Sequence, residues 1–406
     1  MKVLYITYDG LTDPLGQSQI LPYVIGLSNK GYEFTILSCD KPKPFKKNKE
    51  LINRICNQHN IRWESVTYSN QLPVLSAFWN VIKLNRRAKK LFKKNKFKIT
   101  HCRSYIPAIT GLSLKQKNKV QFIFDMRGFW ADERVEGGLW TLSNPVLKKI
   151  YHYFKSKEIQ FINQADKIVS LTETGKNEIL SWKKINISPN KIHVIPCAAD
   201  FNLFSLNSVE QHKKAKQKLG LTPSTFVLSY IGSIGTWYLL DEMLCFFKHL
   251  KEKKQDVKFL FLTADDKQVI YNSAQKHNLS PDDFIIQFSP RAELPQYAYA
   301  SDLSIFFIKP SFSKKASSPT KMGELMAMGI PIICNNNVGD VEAIIDQTQA
   351  GYCLNEFTPE SYQFAIDQIQ QLSQIPPSAI RNSSMQFYDL EKGISLYHNV
   401  YKELST

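Results

Sequence analysis

No stretch of this chain of 406 residues stays apolar for the roughly 18 residues that a membrane-spanning helix requires, so none is expected. Cysteine is sparse and scattered. Cys39, Cys56, Cys102, Cys197, Cys245, Cys334 and Cys353 are odd in number and never spaced C-x-x-C. That pattern argues against a zinc site and against a disulfide framework. Glycine (17) and proline (19) are too few for a collagen-like or Pro/Gly-rich disordered chain. The opening, Met1-Lys2-Val3-Leu4-Tyr5-Ile6-Thr7-Tyr8, reads as a strand and lacks both the apolar core and the cleavage site of a signal peptide. A reducing, cytoplasmic setting is the expectation. At about 150 residues per domain the length suits two or three domains.

Acidic residues are short in one half only. Residues 1–198 carry 33 Lys/Arg against 14 Asp/Glu, whereas 199–406 carry 19 against 22. All of the net +16 therefore lies in the first half, and halves that differ this much usually meet different partners. The densest stretch runs from Lys83 to Lys98 and continues an apolar set, Leu75, Phe78, Trp79 and Ile82, at helical spacing. A basic helix beside aromatic residues suits an anionic membrane surface; a plain solvated helix is the alternative. No nucleic-acid partner is expected, because no RNP, helix-turn-helix or zinc-finger pattern is present.

Strand patterns fall at 2–8, 33–39, 99–102, 121–125 and 167–171, with helical patterns at 17–29, 75–94, 106–117 and 145–164. The second half repeats the alternation. Strands fit 226–231, 258–263, 284–287, 303–307, 331–334 and 351–354; helices fit 239–253, 267–277, 293–299, 319–328, 339–346 and 359–373. Such alternation predicts parallel sheets covered on both faces, hence two Rossmann-like, doubly wound α/β domains. The expected division is 1–198, completed by a C-terminal helix at 385–406, and 199–384. Ligands of such sheets bind beyond the carboxyl ends of the strands, so a cleft between the domains is the expected place for chemistry.

The strongest motif is Ser317-Ser318-Pro319-Thr320-Lys321-Met322-Gly323-Glu324, running on to Gly329-Ile330-Pro331. Ser318 reads as an N-cap and Pro319 as the first helical residue, while Gly329 and Pro331 close the helix. Free N–H groups and the positive dipole end there suit a phosphate, and Lys321 adds charge. Glu324, one turn on, has the geometry to accept both hydroxyls of a ribose.

This segment resembles the donor-site signature of GT-B glycosyltransferases, in particular glycosyltransferase family 4, and the resemblance extends over nearly the whole chain. Ile195-Pro196-Cys197-Ala198-Ala199-Asp200 with Phe204 is similar to the family's entry into its second domain. Phe226 to Gly232, and Glu293-Leu294-Pro295-Gln296-Tyr297 with Ala300-Ser301-Asp302, resemble other donor-domain segments. By resemblance, Gly16 and Gln17 inherit contact with the donor diphosphate and sugar. Arg127, in Asp125-Met126-Arg127-Gly128-Phe129-Trp130-Ala131-Asp132-Glu133, takes the acceptor-side position where other members carry His. The expected catalytic pair is Arg127 and Glu324. Gly232, Ser233, Arg291, Lys309, Ser318, Thr320 and Lys321 are expected at the donor. Trp130, Asp132, Glu133 and His101 are expected on the acceptor side. Alternatives stand beside these: Arg127 as an ion-pair partner of Asp132 or Glu133, Trp130 and Trp237 as core residues, and His101 as a structural histidine.

Two departures from the family are plain. Ser317 stands seven residues before Glu324, where retaining members often carry a first glutamate. Gly232-Ser233-Ile234-Gly235-Thr236-Trp237-Tyr238 lacks the Arg and Lys that commonly neutralise the diphosphate. Lys321, Lys309 and Arg291 are the candidates to replace them. Asp265-Asp266 reads as a solvated turn, and no metal site is expected. The resemblance implies transfer of a sugar from a nucleotide-sugar to a glycan or lipid-linked acceptor, with retention and without a metal cofactor, in cell-surface polysaccharide or glycoconjugate synthesis. The expected location is the inner face of the cytoplasmic membrane. The rival readings are a nucleotide-sugar epimerase of the same fold and a non-catalytic membrane-associated scaffold.

Overall fold

The computed structural model describes residues 1–69 and 73–405, with the side chains at 73–75 and 77 left aside. Leu75 of the basic-helix pattern therefore lies outside the described side chains. The chain divides into two compact units. The first comprises Met1–Pro196, Phe312–Ser317 and Leu390–Thr406; the second comprises Cys197–Ser311 and Ser318–Asp389.

The first unit holds seven strands: β1 (Lys2–Thr7), β2 (Glu33–Asp40), β3 (Arg62–Thr67), β4 (Ile99–Arg103), β5 (Gln121–Asp125), β6 (Lys167–Ser170) and β7 (Ile192–Val194). They pair in parallel in the order β3-β2-β1-β4-β5-β6-β7. The second unit holds β8 (Phe226–Ile231), β9 (Val257–Leu262), β10 (Phe284–Gln287), β11 (Leu303–Ile305), β12 (Ile332–Asn335) and β13 (Gly351–Leu354), ordered β10-β9-β8-β11-β12-β13 and again parallel. Central strands such as Phe226–Ile231 and Val257–Leu262 are apolar runs because helices cover both faces. The two sheets account for the alternating pattern.

What the pattern missed lies at the edges and in the loops. β3 reads Arg-Trp-Glu-Ser-Val-Thr and is only partly buried, so it carries no apolar run. β7 has three residues. Helices at Pro42–Gln58, Trp130–Glu136, Glu173–Ser181 and Pro377–Tyr388 also lie outside the sequence pattern. The expected helix at 17–29 is two helices, Pro14–Gln19 and Leu21–Asn29, broken at Ile20 just before Pro22.

The helix Leu390–Glu403 completes the first unit. Gly26 and Gly393 let it approach the Leu21–Asn29 helix closely. A Cβ at Gly26 would lie 2.3 Å from Ile394 Cδ1, and one at Gly393 2.9 Å from Tyr23 Cε1. Its tyrosines reach into the sheet. The Tyr397 hydroxyl donates to Asp125 Oδ2 at 3.1 Å, and Tyr401 Oη lies 2.6 Å from His101 Nδ1.

Candidate functional site

The helix Thr320–Ala327 in the second unit follows β11 and precedes β12. Met322, Gly323, Glu324, Leu325, Met326 and Ala327 are all buried, so it is a core helix rather than a surface one. Gly323 faces the Pro377–Tyr388 helix, where a Cβ would lie 2.7 Å from Tyr388 Cγ. Gly329, at φ +77°, turns the chain out of the helix.

The start of the helix differs from the sequence reading. Pro319 is the N-cap, and the Ser318 hydroxyl accepts the Cys197 N–H at 3.2 Å instead of capping. The first helical residue is Thr320. Proline has no N–H to donate, and the serine finds a backbone donor where the chain enters this unit.

Glu324 is 1% exposed. Its Oε1 receives Arg291 Nη1, and its Oε2 receives Lys321 Nζ at 2.6 Å. One carboxylate thus gathers two of the three proposed replacement cations, one on each oxygen. The cations are not fully buried: Arg291 and Lys321 side chains each stay 30% exposed, and Arg291 also lies over the Phe204 ring at 5.0 Å. The triad carries a net charge of +1, so its exposed part favours an anion. Each oxygen keeps a second lone pair, so Glu324 can still accept a hydroxyl. Lys309 is exposed and forms no ion pair among the described residues. The structure does not bring it to this triad.

The loop after β8 corrects a second reading. Asp265 is not a solvated turn: its Oδ2 accepts the Ile234 N–H and the Ser233 hydroxyl, the latter at 2.9 Å. Asp266 caps the Lys267–Lys276 helix through Gln268 N at 2.9 Å. Gly232 has φ +143°, a conformation only glycine adopts without strain. Beyond it, the Lys309 N–H donates to the Trp237 carbonyl at 2.8 Å and the Leu239 N–H to the Phe307 carbonyl at 2.9 Å. Where the family carries Arg and Lys, this loop is pinned to neighbouring backbone, and a carboxylate holds Ser233 and Ile234.

In the first unit, Gly16 lies in the Pro14–Gln19 helix and is required where the preceding loop packs back against it. A Cβ there would meet Gly10 O at 2.1 Å and Leu11 Cα at 2.7 Å. Gln17 Nε2 donates to the Thr12 carbonyl at 2.9 Å. Thr12 is anchored by Asp40, a buried carboxylate that the sequence reading passed over. Asp40 Oδ1 accepts the Thr12 N–H at 3.0 Å and its hydroxyl at 2.8 Å, while Oδ2 accepts Ser38 at 2.5 Å and Ser65 at 2.8 Å.

Arg127 sits just past β5 at φ +59°, followed by Gly128 at φ +117°. A non-glycine residue held in the left-handed region marks a position fixed by its surroundings. The Arg127 guanidinium lies 3.8 Å from Asp125 Oδ1. Burial alone would raise the Asp125 carboxyl, but Arg127, the His101 hydrogen bond and Arg103 outweigh it and hold it below the ordinary range.

The remaining acceptor-side expectations change. Asp132 is buried against Lys155 (2.7 Å) and Tyr151 (2.8 Å), and Glu133 holds Lys314 (2.7 Å). Both carboxylates are committed within this unit rather than to Arg127. Trp130 is packed between Tyr105, Trp140 and Phe154 with Arg134 over its ring, which favours the core reading. His101 is 2% exposed and held between Tyr401 and Asp125, which favours the structural reading.

Burial pushes the His101 imidazole below its ordinary value, against the pull of Asp125. Below that ordinary value, near 6.5, the unfolded chain takes up a proton that the folded chain refuses. Stability should therefore fall as pH drops from about 7 to about 5, and this group adds no dependence above that window. Thermal unfolding from pH 7.5 to 5.5 should show a steeper decline for the natural protein than for His101→Gln. Parallel curves would refute the assignment.

Two parallel α/β units, with a paired carboxylate and two cations at a helix start in the second, define a GT-B glycosyltransferase fold. Solved structures agree across the whole chain. A sucrose-phosphate synthase from Thermosynechococcus elongatus superposes with a TM-score of 0.75 at 14% identity, covering 100% of this chain and 99% of that one. A glycosyltransferase from Rickettsia africae gives 0.73 at 16% identity, covering 100% and 98%. Anabaena HepE, solved in complex with UDP-glucose, gives 0.70 at 14% identity, covering 100% and 99%. In sequence, residues 23–203 match Glycosyltransferase Family 4, and residues 211–384 match Glycosyl transferases group 1. The chain belongs to this glycosyltransferase family. Among named relatives, a teichuronic acid biosynthesis glycosyltransferase of Bacillus subtilis is 27% identical over 220 residues, 53% of this chain and 50% of that one. A D-inositol 3-phosphate glycosyltransferase of Segniliparus rotundus is 24% identical over 214 residues, 52% and 45%. The chain spans about half the length of these relatives.

Proposed function

We propose that this protein transfers a sugar from a nucleotide-sugar donor to a hydroxyl of a glycan or lipid-linked acceptor, in cell-surface polysaccharide or glycoconjugate synthesis. The observation that carries this reading is the buried Glu324 carboxylate between Arg291 and Lys321, one turn into the Thr320–Ala327 helix. The naming of one relative for teichuronic acid synthesis, and the UDP-glucose complex of HepE, support it. In this reading the second unit takes the donor and the first unit the acceptor.

The chemistry rests on electrostatics. As the glycosidic phosphate bond breaks, negative charge grows on the leaving phosphate oxygen. Arg291, Lys321 and the helix N–H groups stabilise it. Glu324 holds the ribose and keeps both cations in place. Arg127, fixed by Asp125, is the group of the first unit that would hold an anionic acceptor. The departing oxygen takes the acceptor proton on the same face, so configuration is retained and no protein nucleophile is needed. The two cations supply the role a metal would otherwise fill.

The protein is proposed to act at the inner face of the cytoplasmic membrane. Phe78 and Trp79, on the helix Pro73–Lys94, are 62% and 53% exposed beside its lysines and arginines. No helix among the described residues is long and apolar enough to cross a membrane.

The test is a thermal-shift screen with UDP, GDP, CDP, CMP and dTDP, each with and without EDTA. One nucleotide should raise the unfolding midpoint, unchanged by EDTA. A sugar carried by that nucleotide should then be released or transferred with its anomeric configuration kept, as read by proton NMR. Silence with every nucleotide would sink the proposal.

A further inference from the structure

The segment after the Trp130–Glu136 helix takes no part in the chemistry above. It reads Gly137-Gly138-Leu139-Trp140-Thr141-Leu142-Ser143-Asn144 and leads into the helix Pro145–Gln164. Hydrogen bonds close it. The Gly138, Trp140 and Asn144 N–H groups donate to Val135, Arg134 and Thr141 carbonyls at 3.0, 2.9 and 3.0 Å. Asn144 Oδ1 then caps the helix by accepting from Val146 N at 2.9 Å and Leu147 N at 3.3 Å. Trp140 is the peg: it sits edge-on to Trp130 at 5.2 Å and stacked on Phe154 at 6.0 Å.

With Trp140 turned inward, Leu139 and Leu142 stand outward, 63% and 38% exposed. Val146 and Tyr153, 55% and 47% exposed, continue the surface along one helical stripe, seven residues apart. A loop this thoroughly bonded holds its leucines in solvent by construction. Exposed apolar side chains grouped in this way mark a contact surface.

The charge beside them is of one sign. From Gly137 to Lys157 there is no Asp or Glu, and there are four lysines. Lys155 turns inward to Asp132 and Glu158, whereas Lys148 and Lys149 are exposed and form no ion pair among the described residues. The segment also leaves the sheet at its carboxyl end, as the Pro73–Lys94 helix does.

We infer that residues 137–153 form a second lipid-contacting surface, in which Leu139, Leu142 and Val146 enter the interfacial layer of an anionic bilayer while Lys148 and Lys149 meet its headgroups. This rests on the proposed membrane location and adds a site to it, separate from Phe78 and Trp79. A second copy of this chain suits the surface poorly, since a two-fold contact would set lysines against lysines.

Co-sedimentation with phosphatidylcholine vesicles, with and without phosphatidylglycerol, tests it. The natural protein should bind only the anionic vesicles. The variant Leu139→Ser/Leu142→Ser/Val146→Ser, with circular dichroism unchanged, should bind them roughly tenfold more weakly. Lys148→Glu/Lys149→Glu should weaken binding too, and most at low salt. If the serine variant binds as the natural protein does while Phe78→Ser/Trp79→Ser does not, this surface is refuted and the membrane location stands. If the natural protein binds no vesicle, both fall. A dimer in sedimentation velocity that the serine variant abolishes would assign the surface to a second copy instead.

Discussion

Glu324→Ala should abolish nucleotide-induced stabilisation and lower sugar transfer at least a hundredfold. Two effects combine. Charge-assisted hydrogen bonds to the ribose are worth about 1.5–3 kcal/mol each, so losing two of them reaches that factor. Removing the carboxylate also leaves Arg291 and Lys321 unpaired. Breaking a fully buried pair costs about 3–5 kcal/mol. Here both cations keep 30% exposure and can turn to water, so the loss of stability should be smaller, about 1–3 kcal/mol. Glu324→Gln separates the two effects. It keeps the shape and one acceptor oxygen, so one of the two cations stays bonded and the fold should lose less than in Glu324→Ala, while nucleotide response and transfer still drop. Should Glu324→Gln bind nucleotide as well as the natural protein does, the carboxylate would have no part in holding the donor.

Gly16→Ala should cut transfer about a hundredfold while leaving the nucleotide response of the second unit intact. The added methyl has no room: its nearest neighbours would be Gly10 O at 2.1 Å and Leu11 Cα at 2.7 Å, both backbone. Backbone cannot rotate away as a side-chain tip can, so the Pro14–Gln19 helix and the loop before it must shift apart. Overpacking of this kind costs about 1–3 kcal/mol. A displacement of about 1 Å in a group that orients substrate is enough for the loss in rate. Because Asp40 holds Thr12 with two hydrogen bonds, the strain falls on the Gly16 side of the loop. Ordinary transfer by Gly16→Ala, or loss of nucleotide binding along with transfer, would each contradict this account.

These two positions were legible for different reasons. Glu324 stood out because a Ser-Ser-Pro-Thr-Lys start, a short helix and a closing Gly-Ile-Pro are local signals, read along one stretch of chain. Gly16 stood out only through the family resemblance, and its physical need came from Gly10 and Leu11 folding back on it. The neighbouring failures have one cause. Serine before proline is a good helix start and suggests Ser318 as a cap, but a Cys197 N–H from far along the chain claims its hydroxyl. Asp265 was read as a solvated turn, yet it closes the loop at Ser233 and Ile234. His101, Trp130, Asp132 and Glu133 lie close in sequence to Arg127 or to a strand end, and that proximity suggested an acceptor role. Their side chains instead meet partners in the C-terminal helix, the Pro145–Gln164 helix and the Phe312–Ser317 segment.

The sequence by itself determined the alternation of strands and helices, the parallel sheets and the helix that carries Glu324. Those features follow from the spacing of apolar residues and from turn and cap chemistry, which act over a few residues. Only the tertiary structure decided which charges meet. Arg291 reaches Glu324 across 33 residues, and His101 meets Tyr401 across 300. Periodicity fixes which face of an element is buried, whereas the partner of a buried charge depends on which distant element the fold lays against it.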